Sequence, residues 1–333
     1  MPDYKGIQGT AVQNFAGDPG NPINGQVWYN SSTSQFKYFA EYASGAWATG
    51  GNLNSARTNL PPGGAGTQTA GLAFGGEAPT GVTGDTESYN GSTWTELNNL
   101  NTARSAGGGA GATNTAALSF GGYIGGNPGI TGVTETWNGT SWTEVNDLNT
   151  GRLWLGNAGT NTSALGFGGA PPSFPSTSIA GGNTESWNGT SWTELNDLNT
   201  ARLQIAGCGA SNTAALAFGA QPVGLTESWN GTSWTEVNDL NTGRNALAGC
   251  GTQTAGLAFG GANSPISLGV TESWNGTSWT ELNDLNTARI YLAGAGTNTA
   301  GLAFGGQPSA AVGTLTEEWN APGTATEIIT TTV

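Results

Sequence analysis

A twelve-residue phrase, written four times with hardly a change, limits what this chain can become. Thr134-Glu135-Thr136-Trp137-Asn138-Gly139-Thr140-Ser141-Trp142-Thr143-Glu144-Val145 returns from Thr184, Thr226 and Thr271, and a looser copy starts at Thr86. Its second Trp falls at positions 47, 94, 142, 192, 234 and 279, in steps of 42 to 50 residues. Ten residues after each comes an Arg: Arg57, Arg104, Arg152, Arg202, Arg244 and Arg289. Phe-Gly-Gly or Phe-Gly-Ala follows each Arg after 15 to 17 residues, starting at Phe74, Phe120, Phe167, Phe218, Phe259 and Phe304. A last Thr316-Glu317-Glu318-Trp319-Asn320 opens one more copy and then departs from it. Such a period marks a supersecondary unit that buries its apolar face only against its neighbours.

Each unit reads as four short strands. Strand A is the Gly-rich stretch after Arg, such as residues 290–296. Strand B is Thr299-Ala300-Gly301-Leu302-Ala303-Phe304, where large and small residues alternate up to a glycine pair. Strand C is the Thr-Glu-Ser-Trp segment, and strand D the Trp-Thr-Glu-Leu segment. Asn-Gly follows strand C in five copies and predicts a type I′ hairpin turn, with positive φ at both central residues. No stretch keeps a helical period. Four strands per unit of this length predict an all-β chain with the blades of a β-propeller.

The glycine pair, the two aromatics and the Arg, for example Gly168-Gly169, Trp187, Trp192 and Arg202, together resemble the kelch repeat over residues 36–333. The strand-C aromatic, Tyr in most kelch repeats, is here Trp except at Tyr42 and Tyr89. The resemblance implies a kelch-like propeller with strand A innermost and strand D at the rim. Six A–B pairs, each followed by a C–D pair, give six blades. The surplus is a C–D-like hairpin over residues 36–50, with Tyr42 and Trp47, and a Thr/Ile-rich end, residues 324–333. Either can complete a blade shared between the chain ends. The alternative is a seventh blade built from residues 25–50 and the C-terminal strand.

Composition then removes whole classes of function. Charged residues make up 9% of the 333 residues, against about 25% in ordinary domains. Eight Lys and Arg face 22 Asp and Glu, a net charge of −14, which argues against nucleic acid as a partner. No histidine is present, so the commonest general base and metal ligand are missing. No 18-residue apolar run suggests membrane insertion, and Met1-Pro2-Asp3-Tyr4-Lys5 does not read as a signal peptide. The expectation is a protein that is not an enzyme, with no catalytic residues, cofactor or metal.

The repeated residues read first as structure. Six of the eight cations are the repeat Arg, each within reach of a repeat Glu such as Glu135, so a buried bond between strands or blades is expected. Losing one should cost about 1–3 kcal/mol. A ring of arginines around a ligand is the competing reading. The paired Trp read as packing between blades, with Trp28 and Trp154 outside the pattern. Asn-Gly-Thr and Asn-Gly-Ser also match the N-glycosylation acceptor, a match the hairpin already accounts for. Cys208 and Cys250 read as small fillers of inner strands, without a disulfide. Asp147, Asp197, Asp239 and Asp284 read as turn residues rather than calcium ligands.

Differences between copies point elsewhere. Between Phe-Gly-Gly and the next Thr-Glu lie 9, 11, 14, 5, 9 and 9 residues: 77–85, 123–133, 170–183, 221–225, 262–270 and 307–315. The two residues after each Arg vary as well. Both sets belong to the face carrying the B–C and D–A connections, while the A–B and C–D turns of the other face are uniform. Variable loops on a rigid scaffold are where binding usually sits. Tyr123, Trp154, Phe174, Gln204 and Tyr291 are the candidate contact residues, large or polar outliers in slots of smaller ones.

Residues 1–35 lack the repeat. Gly25-Gln26-Val27-Trp28-Tyr29-Asn30, a polar turn and Gln35-Phe36-Lys37-Tyr38-Phe39 read as an aromatic hairpin behind a Gly/Pro/Asn-rich arm. This arm and hairpin before a Thr/Asn/Gly-rich, Lys-poor repetitive body resemble virion structural proteins of tailed bacteriophages, marine ones in particular. The resemblance implies a tail fibre, tail-associated or head-decorating protein, made in the host cytoplasm and located in the virion. Residues 1–35 would attach it to other virion proteins as a homo-oligomer. Residues 36–333 would meet a host-surface glycan or protein, or a neighbouring virion protein. A cellular kelch-like scaffold or lectin is the alternative.

Overall fold

The computed structural model describes residues 12–20, 26–42, 45–126, 129–172, 180–220, 224–308, 313–321 and 323–328. These residues hold no helix, and the strands form mainly antiparallel four-stranded sheets, an all-β architecture consistent with a β-propeller. Contacts divide the chain into two compact units, residues 46–320 and residues 1–45 with 321–333.

In the larger unit, strands A to D pair in that order. The first sheet is Ala65–Thr67, Ala70–Phe74, Thr86–Tyr89 and Trp94–Glu96. The second is Gly108–Thr113, Ala116–Phe120, Thr134–Trp137 and Trp142–Val145. The third is Gly156–Thr160, Ser163–Phe167, Thr184–Trp187 and Trp192–Glu194. The fourth is Ala206–Ser211, Ala214–Phe218, Thr226–Trp229 and Trp234–Val237. The fifth is Ala248–Thr252, Ala255–Phe259, Thr271–Trp274 and Trp279–Glu281. The sixth takes Ala293–Gly296, Ala300–Phe304 and Thr316–Asn320 from one end of the chain and Ala46–Thr49 from the other. Strand A of each sheet packs on strand A of the next, and the sixth returns to the first.

Residues 36–50 are therefore not one hairpin. Ala46–Thr49 pairs with Thr316–Asn320, Trp47 opposite Trp319, because the last strand C has no Trp-bearing strand D after it. Gln35–Tyr42 instead joins Gln13–Phe15, Val27–Asn30 and Gly323–Ile328 in the smaller unit. This terminal sheet corresponds to the alternative seventh sheet without residues 46–50. The division by contacts falls at residue 46, whereas the boundary read at residue 36 lies inside a strand. The hairpin over residues 27–38 forms in register Val27↔Tyr38 to Asn30↔Gln35. Asp18 fastens the arm to it, accepting bonds from Lys37 Nζ at 2.9 Å, Asn30 Nδ2 at 2.7 Å and Trp28 Nε1 at 3.2 Å. These bonds, Lys37's foremost, hold its carboxyl below the usual range. Residues 1–11 of the arm lie outside the described residues.

Glycine in strand A follows from how closely the six strands converge. A Cβ on Gly207 would sit 2.4 Å from Phe167 Cζ of the preceding sheet, and one on Gly249 2.4 Å from Phe218 Cζ. The third sheet breaks the rule with Asn157, only 3% exposed. Its amide crosses the centre, donating to Gly109 O at 2.5 Å and accepting from Gly63 N at 3.3 Å. Cys208 and Cys250 are buried and free, each thiol facing the carbonyl of Thr252 or Thr297 in the next sheet. Burial pushes the Cys208 thiol up to about 12 and raises Cys250 as well.

The tryptophans tie neighbouring sheets together. Each strand-D Trp lays its ring on the strand-B Phe of the preceding sheet, for example Trp192 on Phe120 at 4.8 Å and Trp234 on Phe167 at 5.0 Å. Its indole N–H donates to the first Thr of that sheet's strand C, Trp192 to Thr134 at 3.1 Å and Trp234 to Thr184 at 2.9 Å. The strand-C Trp, such as Trp187, donates instead to a carbonyl of its own A–B turn, Asn161 O at 3.0 Å.

Two turn readings change. The C–D connection spans four residues between paired Trp, as in Trp137↔Trp142. Gly139 has φ 90°, but none of the preceding Asn is among the positive-φ residues, so the turn is not type I′. Asn138 Oδ1 instead accepts the N–H groups of Thr140 and Ser141, both at 2.9 Å. Asp147, Asp239 and Asp284 do not satisfy their own turn; they accept the backbone N–H that starts strand C, at Thr134, Thr226 and Thr271.

Candidate functional site: the loop-bearing face

Each connection from a strand D to the next strand A crosses the sheet it enters, and its Arg fastens it there. The six pairs are Arg57–Glu87, Arg104–Glu135, Arg152–Glu185, Arg202–Glu227, Arg244–Glu272 and Arg289–Glu317, at 2.5 to 3.1 Å, with side chains at most 4% exposed. Arg152 shows the full pattern, with Nη1 also donating to Gly168 O and Asn183 O. The second Glu185 oxygen accepts Asn149 N and Nδ2, at 2.7 and 2.8 Å. Burial lowers the guanidinium pKa in all six, to about 10 for Arg289, with the paired Glu opposing the shift. Charges paired this deeply hold structure and have no open side toward a ligand.

Two residues beyond each Arg the backbone turns left-handed. Asn59, Ala106, Trp154, Gln204, Ala246 and Tyr291 have φ between 49° and 57°. Five of the six N–H groups donate in turn round the centre of the unit: Ala106 to Asn59, Trp154 to Ala106, Gln204 to Trp154, Ala246 to Gln204 and Tyr291 to Ala246, at 2.7 to 2.9 Å. Beneath this run Leu155, Ile205, Leu247 and Leu292 help line a space of about 20 Å³, room for about one water.

Trp154, Gln204 and Tyr291, three of the candidate contact residues, are thereby brought together. Gln204 Nε2 donates to Tyr291 Oη at 2.8 Å, and Asn245 Nδ2 donates to Gln204 Oε1 at 2.8 Å. Burial raises the Tyr291 phenol. Tyr123 stands further out, half-buried in a cluster with Ala106, Leu153, Ala170 and Trp154, its hydroxyl donating to Gly126 O. Phe174 lies outside the described residues.

B–C and D–A connections share this face by direct pairing: Thr58↔Glu77, Ser105↔Tyr123, Leu153↔Ala170, Asn245↔Ala262 and Ile290↔Gln307. Among the described residues the fourth sheet has no such bridge, and its B–C loop is the shortest, residues 221–225. A notch of about 690 Å³ opens there, lined by Trp154, Leu203, Gln204, Ala220, Leu225 and Asn245 among others. Leu203 and Asn245 belong to the variable pairs after Arg202 and Arg244 but did not stand out as contact residues, because one is an ordinary apolar residue and the other one more Asn among many. Ile124 and Ile266, 45% and 62% exposed, were missed for the same reason. They are the exposed large apolar side chains of residues 46–320 among the described residues, and both sit in B–C loops.

Among the described residues no group of three or more acidic or cysteine side chains gathers as a metal site, and no helix is long and apolar enough to cross a membrane. No family model matches the chain, and no curated protein matches it in sequence.

Proposed function

We propose that this chain is a non-enzymatic virion structural protein of a tailed bacteriophage whose six-bladed, kelch-like propeller binds a host surface or a neighbouring virion protein. In this reading the six sheets of residues 46–320 are the blades, and Ala46–Thr49 closes the ring. The terminal unit attaches the protein to the particle, as one of several copies. One observation carries the binding assignment: loop length, residue identity and exposed apolar side chains vary together on a single face, over a scaffold of repeated buried bonds. Natural scaffolds place recognition on such loops. The six paired arginines and the absence of histidine support a role without chemistry.

Mass spectrometry of purified phage particles tests the location. The protein should appear at a fixed ratio to the other structural proteins and survive washing in high salt. Its absence from intact particles, with abundance in the infected-cell lysate, would contradict the assignment.

A further inference from the structure

We infer that the notch over the fourth sheet is a binding site for a short, uncharged saccharide, with Trp154 as the stacking surface and Gln204 and Asn245 as the polar contacts, Gln204 being held from behind by Tyr291. This rests on the reading of the loop-bearing face as the binding face and names the ligand class for one place on it.

The site is built. Trp154, Gln204 and Tyr291 hold left-handed backbone at φ 56°, 57° and 54°, a conformation that bulky side chains rarely adopt and that glycine or asparagine takes more readily. The same φ recurs at Asn59, Ala106 and Ala246, so it belongs to the repeat, and strain of this kind persists where surrounding structure enforces it. Here the run of backbone bonds enforces it, and the result is two aromatics and an amide brought to the centre of one face.

The chemistry selects the ligand. An indole face is electron-rich and takes the C–H face of a pyranose ring, while amide groups exchange bonds with ring hydroxyls. Gln204 is locked to Tyr291 and to Asn245, so the remaining donors and acceptors of the two amides point in fixed directions. Among the described residues no free charge lines the notch: Arg202 is there, but its guanidinium is paired with Glu227 at 2.8 Å. A ligand carrying carboxylate or sulfate would find no cation, and the net charge of −14 would repel it. The volume of about 690 Å³ lies in the range of ligand pockets, roughly 300–1,000 Å³, large enough for more than one sugar ring. Affinity at one site is weak, and several copies on a particle raise it through avidity.

The test uses the full chain on an array of neutral, sialylated and sulfated oligosaccharides, followed by titration of neutral hexose oligomers by calorimetry and saturation-transfer NMR. Neutral oligomers should bind in the millimolar range with little dependence on salt. Trp154→Ala should weaken binding at least tenfold and Gln204→Ala several-fold, with melting curves close to those of the parent. Ile266→Ala, on the same face outside the notch, should leave binding unchanged. Binding only to anionic glycans, binding to none of the array, or undiminished binding by a folded Trp154→Ala protein would each overturn the inference. Failure of the wider reading looks different. If particles carrying Ile124→Ser and Ile266→Ser lose adsorption to cells while those carrying Trp154→Ala keep it, the face binds and the saccharide notch is wrong. If none of these changes alters adsorption, the face itself is not the contact.

Discussion

Replacing Arg152 by Met lowers the unfolding free energy by about 3–5 kcal/mol, the range for stranding one member of a buried ion pair. The sequence alone suggested a smaller loss, because it did not show how deeply the partner is buried. Glu185 is about 1% exposed at its side chain, and without the guanidinium its charge keeps only the Asn149 and Thr150 donors. The Gly168 carbonyl loses its guanidinium donor in the same step, while that of Asn183 keeps only the Gly168 N–H. Arg152→Met with Glu185→Leu removes both charges and should recover much of the loss, as apolar replacement of buried pairs often does. Denaturant melts of the single and double variants measure this. Additive losses would show that the two side chains do not act as a pair. Equivalent changes at Arg57 and Arg289 should behave alike, since each repeats the two carbonyl bonds and the Glu partner of Arg152.

Trp47→Ala costs about 3–5 kcal/mol, the range for deleting a buried indole. The size follows from its contacts: Phe259 at 5.0 Å, Trp319 at 5.5 Å, an indole bond to Thr271 and a backbone carbonyl that accepts from Asn286. Trp142→Ala and Trp192→Ala should cost about as much, although only Trp47 reaches its sheet from the far end of the chain. Deleting residues 1–49 goes further. It leaves Thr316–Asn320 with an unpaired edge and uncovers Phe259, so the remaining chain should lose cooperative unfolding or aggregate through that edge. A truncated protein melting like the parent would show that Ala46–Thr49 does not close the unit.

Much of the fold was legible because repetition shows what is shared. Strand order, the Arg sites and the Trp packing each recur, and a recurring residue type at a fixed step can be read as a fixed place. Where one strand had to come from a distant part of the chain, as with Ala46–Thr49, local pattern suggested a hairpin with its sequence neighbour instead. The turn after strand C was misread for a related reason. Asn-Gly favours a type I′ turn locally, but the Trp137↔Trp142 pairing fixes a four-residue connection in which the Asn side chain does the bonding. The binding-face candidates came from differences between copies, which located Trp154, Gln204 and Tyr291. What brings them together is backbone geometry: left-handed residues linked in turn by hydrogen bonds. Asn, Ala, Trp, Gln and Tyr share no sequence signature for that conformation. Asn157 was hidden too, since only convergence of six inner strands makes one amide in a glycine slot matter.

Cryo-electron microscopy of intact particles tests the central claim most directly, by showing which surface of residues 46–320 faces outward. The account predicts that the face with Trp154, Ile124 and Ile266 is open to solvent and that the terminal unit holds the contacts with other virion proteins. Finding Ile124, Ile266 and Tyr123 buried against a neighbouring virion chain, with the Asn-Gly turns outermost, would contradict it and make the variable face an assembly surface.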